Sequence, residues 1–205
     1  MTPDLREKLL AGLKDGSIVP YLGPGVLADV KNAASGAPIP ADSNSLIYAM
    51  NDGKPMAPKL MYEFPRAAKN VEVKRGRSAV TRFLNRTYGE TAWTRAAVHD
   101  WIKAIFPHYV IDINRDTQLQ GSYAVSIPPE VKELRKGKQY LLIGLRLNRD
   151  TERMVMSDMI YAAAQPAGWV LIKEPTEKER RFCKKLGLEL IEADLFDLIR
   201  AAVAA

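Results

Sequence analysis

The 205-residue chain has one cysteine and two histidines, and each scarcity removes a class of protein. A lone Cys183 cannot build an internal disulfide framework. It lies at helical spacing between Phe182 and Leu186 and reads as a buried structural thiol. With only His99 and His108 available, neither a metal cluster nor a Ser-His-Asp set has enough material, and no metal is expected. Long apolar runs are absent too, none approaching the roughly 20 residues that cross a bilayer. The opening residues Met1 to Lys8 mix both charge signs where a secretory leader needs a basic region and an unbroken apolar core. These absences point to a cytoplasmic protein with no membrane partner.

What remains is ordinary globular material, with 47% hydrophobic and 26% charged residues, enough for one domain with its own core. The net charge of +6 is modest, but its distribution is uneven. Arg66, Lys69, Lys74, Arg75, Arg77, Arg82 and Arg86 are opposed in their stretch only by Glu72.

Periodicity orders the chain into strands and helices. Leu5, Leu9, Leu10 and Leu13 predict a first helix that Gly16 stops, and residues 17–22 a short buried strand. Pro20 removes a donor there, which argues for an edge or irregular position. Gly23-Pro24-Gly25 ends the strand. Residues 28–43 read as a loop, followed by helices near 46–50, 57–69 and 77–88, together a helical insertion at about 41–93. A helix from Thr94, with Val98, Trp101, Ile102 and Ile105 on one face, leads to a strand at 109–113. His99 lies beside that apolar face and reads as structural; His108 opens the strand, at the end away from any cleft. A turn at Pro128-Pro129 precedes further strands at 140–143, 168–172 and 188–191. Between them the pattern predicts helices at about 150–164, with Met154, Met156 and Met159 as core filling, and from the Thr176/Glu179 capping box to Gly187. Asp194 caps a last helix striped by Leu195, Leu198, Ile199, Ala202 and Val203. Short apolar strands separated by amphipathic helices predict a Rossmann-like parallel sheet of about five to six strands, with helices on both faces. In such sheets ligands bind at the carboxyl ends of the strands. Those ends here carry Gly23 and Gly25, Asn114 and Asp116, and Gly144, residue types that admit backbone N–H groups to an anion or hold ribose hydroxyls.

The same segments resemble a known family. Asp15 to Val26, through Tyr21-Leu22-Gly23-Pro24-Gly25, looks like the opening strand and G-A-G turn of sirtuin-like domains. Ala97 to Ile102 followed by Val110 to Asp116 is similar to the helix-then-strand block ending in T-N-x-D of the bacterial branch, and Leu142 to Asp150 resembles its later G-x-S-L-x-D segment. The resemblance covers nearly the whole chain. It implies a domain that binds NAD or ADP-ribose, with Gly23, Pro24, Gly25 and Val26 near the phosphates, Asn114 and Asp116 near the nicotinamide ribose, and Gly144, Leu145 and Arg146 as further contacts. In active relatives the Asn acts with a histidine that precedes a glycine, but residues 117–139 contain no histidine. Pro24 also replaces the small residue of the turn, and Arg146 stands where a hydroxyl residue is usual. The four-cysteine module of the protein deacylases is missing, which argues against that activity.

The leading expectation is therefore a nucleotide-binding protein with reduced or lost catalysis, a sensor or assembly partner working as a homo-oligomer or with another protein. One alternative is an NAD glycohydrolase in which Asn114 and Asp116 are catalytic. Another is a nucleic-acid or protein adaptor acting through the basic insertion, although Tyr62, Phe64 and Phe83 fall mainly at core spacing, which disfavours nucleic acid.

Overall fold

Prolines and glycines set several of the helix boundaries of this chain. The computed structural model describes residues 1–61, 63–123, 133, 135–161 and 163–200. Helix α1 (Pro3–Asp15) starts with Thr2 accepting from the Leu5 N–H and stops at Gly16. Five parallel strands follow: β1 (Ile18–Leu22), β2 (Ile111–Asp112), β3 (Gln139–Ile143), β4 (Gly168–Leu171) and β5 (Leu188–Ile191). Their order across the sheet is β2-β1-β3-β4-β5, a Rossmann-like α/β arrangement in which the chain builds outward from β1 on one side and then on the other. The reversal falls between β1 and β3.

Two compact units divide the chain: Met1–Val26, Ala97–Ile113 and Leu119 onward form the first, Leu27–Ala96 with Asn114–Gln118 the second. In the first, strand side chains alternate between two buried faces. Val19, Tyr21, Tyr140, Leu142, Val170 and Leu188 point to one, where α6 (Asp150–Ile160) supplies Met156, Met159 and Ile160, and α7 (Glu177–Leu186) supplies Cys183. Burial pushes the Cys183 thiol up to about 11, so it is an inert core residue. Met154, expected in the core, is 68% exposed on the outer side of α6. It stands two residues before Met156, and positions two apart on a helix face different ways.

The other face of the sheet presents Ile18, Leu22, Leu141, Ile143, Trp169 and Leu171, all buried. It is covered by α1, by α5 (Ala97–Ile105) and by α8 (Leu195–Arg200). Gly12 of α1 lies so close to β1 that a Cβ there would sit 2.4 Å from Ile18 Cδ1. Lys8 lies 5.0 Å over the Trp169 ring. Among the described residues no helix is long and apolar enough to cross a membrane.

Pro20, expected at an edge, sits in a central strand. Gln139 N–H donates to Ser17 O and Gly23 N–H to Ile143 O, so the odd residues of β1 turn their backbone groups to β3. Leu22 O accepts from Ile113 N–H, so the even ones face β2. The β1–β2 ladder opens only at Tyr21↔Ile111. Pro20 therefore faces the side where no described strand needs its missing donor.

The second unit is helical. It contains α2 (Ser43–Met50), capped by Asp42, then α3 (Phe64–Arg75) and α4 (Arg77–Leu84). The helix expected at 57–69 begins later, because Pro58 and Pro65 each fit only a first turn; Pro58 opens a separate 3-10 turn instead. The one expected at 77–88 ends at Leu84 and widens into a π-helical turn, Asn85–Glu90. The expected loop at 28–43 is tied by antiparallel bridges Lys31↔Pro38 and Asn32↔Trp93. Thr94, expected to open a helix, instead donates its N–H to Lys31 O while its hydroxyl accepts from Lys31 N–H. This clasp closes the base of the insertion and delays α5 to Ala97. The strand expected at 109–113 shortens to Ile111–Asp112 and the helix at 150–164 ends at Ile160. Tyr62, the Pro128-Pro129 turn, Ala202 and Val203 lie outside the described residues.

Leu142 is wholly buried on the sheet face that α6 and α7 cover. Leu142→Ala should cost about 3 kcal/mol in denaturant unfolding, whereas Met154→Ala should change it by less than about 0.5 kcal/mol.

Candidate functional site

The reversal in strand order is also where two backbones meet. Gly25 donates its N–H to Gly144 O at 2.8 Å, joining the turn after β1 to the turn after β3. A Cβ on Gly25 would lie 2.9 Å from Gly144 Cα, and one on Gly23 2.6 Å from Gly144 O. Gly144 adds a left-handed backbone: its φ is +71°, and a Cβ there would stand 2.5 Å from Val26 N. Only glycines let the turns close to this distance. The N–H groups of Gly23, Gly25 and Val26 are all engaged, donating to Ile143 O, Gly144 O and Gly23 O respectively. In this geometry the turn offers bare glycine backbone at Gly25 and Gly144 beside the Pro24 ring, rather than a row of open amide donors. Pro24, Gly25 and Gly144 are half-buried on it, and Pro24 starts a short 3-10 turn, Pro24–Leu27.

Leu145 turns into the core, 5% exposed. Arg146 turns outward and is held in place. Its Nε donates to Glu179 Oε1 at 2.8 Å and its Nη2 to Oε2 at 2.9 Å. Glu179, at 0% exposure, also accepts from the Thr176 N–H and hydroxyl, both at 2.8 Å. Burial pushes the Glu179 carboxyl up, but the Thr176 and Arg146 donors outweigh it, and the net displacement is downward. From the sequence Glu179 is a capping residue and nothing more. The signal for its second role, a cation three residues after a strand on the neighbouring loop, has no fixed spacing to betray it.

At the carboxyl end of β2, Asp112 is the residue that sequence reading passed over. Its Oδ2 stands 4.0 Å from Nε2 of His99, which is completely buried in the first turn of α5. Asn114 and Asp116 follow in the chain but belong to the second unit. There Asp116 is 8% exposed and accepts the Gln118 N–H at 3.1 Å. Gln118 in turn accepts from the Ala96 N–H and donates to Thr94 O, fastening the 114–118 segment to the base of the insertion. Of the nine expected site residues, Gly23 to Val26 and Gly144 to Arg146 thus share the sheet unit, while Asn114 and Asp116 are anchored in the helical one.

Three outcomes follow. Gly144→Ala combines a left-handed backbone with a backbone clash and should cost about 3 kcal/mol in denaturant unfolding. Glu179 has a depressed carboxyl, so its contribution is present above its unfolded value of about 4.3 and is lost as pH falls through the folded value. Glu179→Gln should therefore be less stable than wild type at pH 7, with the gap narrowing in unfolding curves taken toward pH 3. Arg146→Ala should lose about 1–2 kcal/mol, because half of that side chain is in water.

No protein-family model matches this chain, and no curated protein is significantly similar to it.

Proposed function

We propose that the sheet unit binds a nucleotide, NAD, ADP-ribose or a related adenine nucleotide, at the carboxyl ends of β1 and β3, and that the protein works as a sensor or assembly partner with catalysis reduced or lost. The observation that carries this reading is a coincidence of topology and packing. In doubly wound sheets the crevice for a ligand opens where the strand order reverses, and here that reversal lies between the two strands whose glycine turns touch. The bare backbone at Gly25 and Gly144 lets a flat or phosphorylated ligand approach closely. The resemblance to sirtuin-like domains supplies the ligand class.

One observation favours an NAD glycohydrolase as a second reading. Buried His99 stands 4.0 Å from the partly exposed carboxylate of Asp112 at the carboxyl end of β2, so the chain does hold a histidine at that level of the sheet. The pair has the composition of a general base and its orienting group.

Titration calorimetry with NAD, ADP-ribose and other adenine nucleotides tests the first reading. Binding by at least one is expected, together with about 2.7 kcal/mol of added stability at a hundredfold excess over Kd. Absence of binding by all of them at millimolar concentration overturns it. The hydrolase reading predicts nicotinamide release from NAD that is abolished by Asn114→Ala and by His99→Gln; an inert protein, alone and with a binding partner, contradicts it.

A further inference from the structure

The helical unit contains a cleft of about 500 Å³ that the nucleotide reading does not use. Its floor is apolar, with Met50 at the end of α2, Ala79 and Phe83 on α4; Met50 and Phe83 are 5% and 8% exposed. Its rim is charged. Arg75, at the end of α3, is drawn to Asp52 by an ion pair of 3.4 Å. Arg82 and Arg86 also line the cleft, and among the described residues no carboxylate lies within ion-pair reach of either. Glu90 completes the rim.

Chain spacing brings the two arginines to one cleft. Arg82 lies in the last turn of α4 and Arg86 four residues on, inside Asn85–Glu90. The Arg86 carbonyl accepts the Thr91 N–H at 3.0 Å and its hydroxyl at 2.7 Å, so the widened turn is fixed at its far end. Residues four apart stay on one side of a helix. Wide turns of this kind are rare and recur at functional sites.

We propose that this cleft binds a small ligand with a phosphomonoester at one end and an apolar or aromatic body at the other. Two guanidiniums that no described carboxylate pairs with match a dianionic phosphate, which carries about −1.5 to −2 charges at neutral pH, better than a carboxylate with one. Met50, Ala79 and Phe83 receive the body. The volume falls in the range of small-molecule sites.

Phenyl phosphate titrated into the full chain is the test, with benzoate and inorganic phosphate as the probes that lack the dianion and the body. Phenyl phosphate should bind tightest. Arg82→Gln/Arg86→Gln should weaken it at least about tenfold, and either Arg→Lys variant less, since lysine keeps the charge and loses the fork. Both side chains are exposed, so the variants should unfold at the wild-type temperature. ADP-ribose binding by the sheet unit should persist in the double variant, which separates this site from the other. The proposal is overturned if phenyl phosphate fails to bind at millimolar concentration, if the double variant binds it unchanged, if benzoate binds equally well, or if only a single-stranded oligonucleotide binds.

Discussion

The hydrogen bond from Gly25 N–H to Gly144 O, and the near-contact of backbones around it, is the constraint from which the geometry of the sheet unit follows. β1 and β3 are paired along their whole length, from Ile18↔Gln139 to Leu22↔Ile143. A parallel ladder would ordinarily splay where its strands end. Here the contact carries the pairing past the last strand residues into both turns. It does so at the reversal of strand order. No side chain could be added at either turn without parting them.

A second tie acts on the segment just beyond. Arg146 leaves β3 and reaches the buried Glu179 at the start of α7, which at the same time accepts from Thr176. Removing one partner of such an arrangement exposes the cost of a buried carboxylate, whereas the intact set satisfies it. One carboxylate therefore closes a helix start and fixes the exit of a strand. Arg146, expected as a ligand contact, is held in place by that same carboxylate.

The fold was legible because its signals are local and repeated. The α1 and α7 boundaries follow from Thr2 and Gly16, and from Thr176, Glu179 and Gly187, each read from a few adjacent residues. The helical insertion was less so. Thr94 has the look of a helix start, yet it is spent on Lys31, 63 residues away in sequence. Pro20 misleads in the same manner, since whether its missing donor matters depends on where β2 begins, which no property of β1 reveals. The site shows the same division. Glycines at strand ends announce a close approach, but the partner of Gly25, the engagement of its N–H and the pairing of His99 with Asp112 are all long-range facts.

The central claim concerns where a nucleotide binds, and amide chemical-shift mapping with ADP-ribose addresses it most directly. The account predicts that the perturbed amides cluster at Gly23, Gly25, Val26, Gly144 and Leu145. Perturbations confined to other parts of the sheet, or to residues 75–90 of the helical unit, would contradict it.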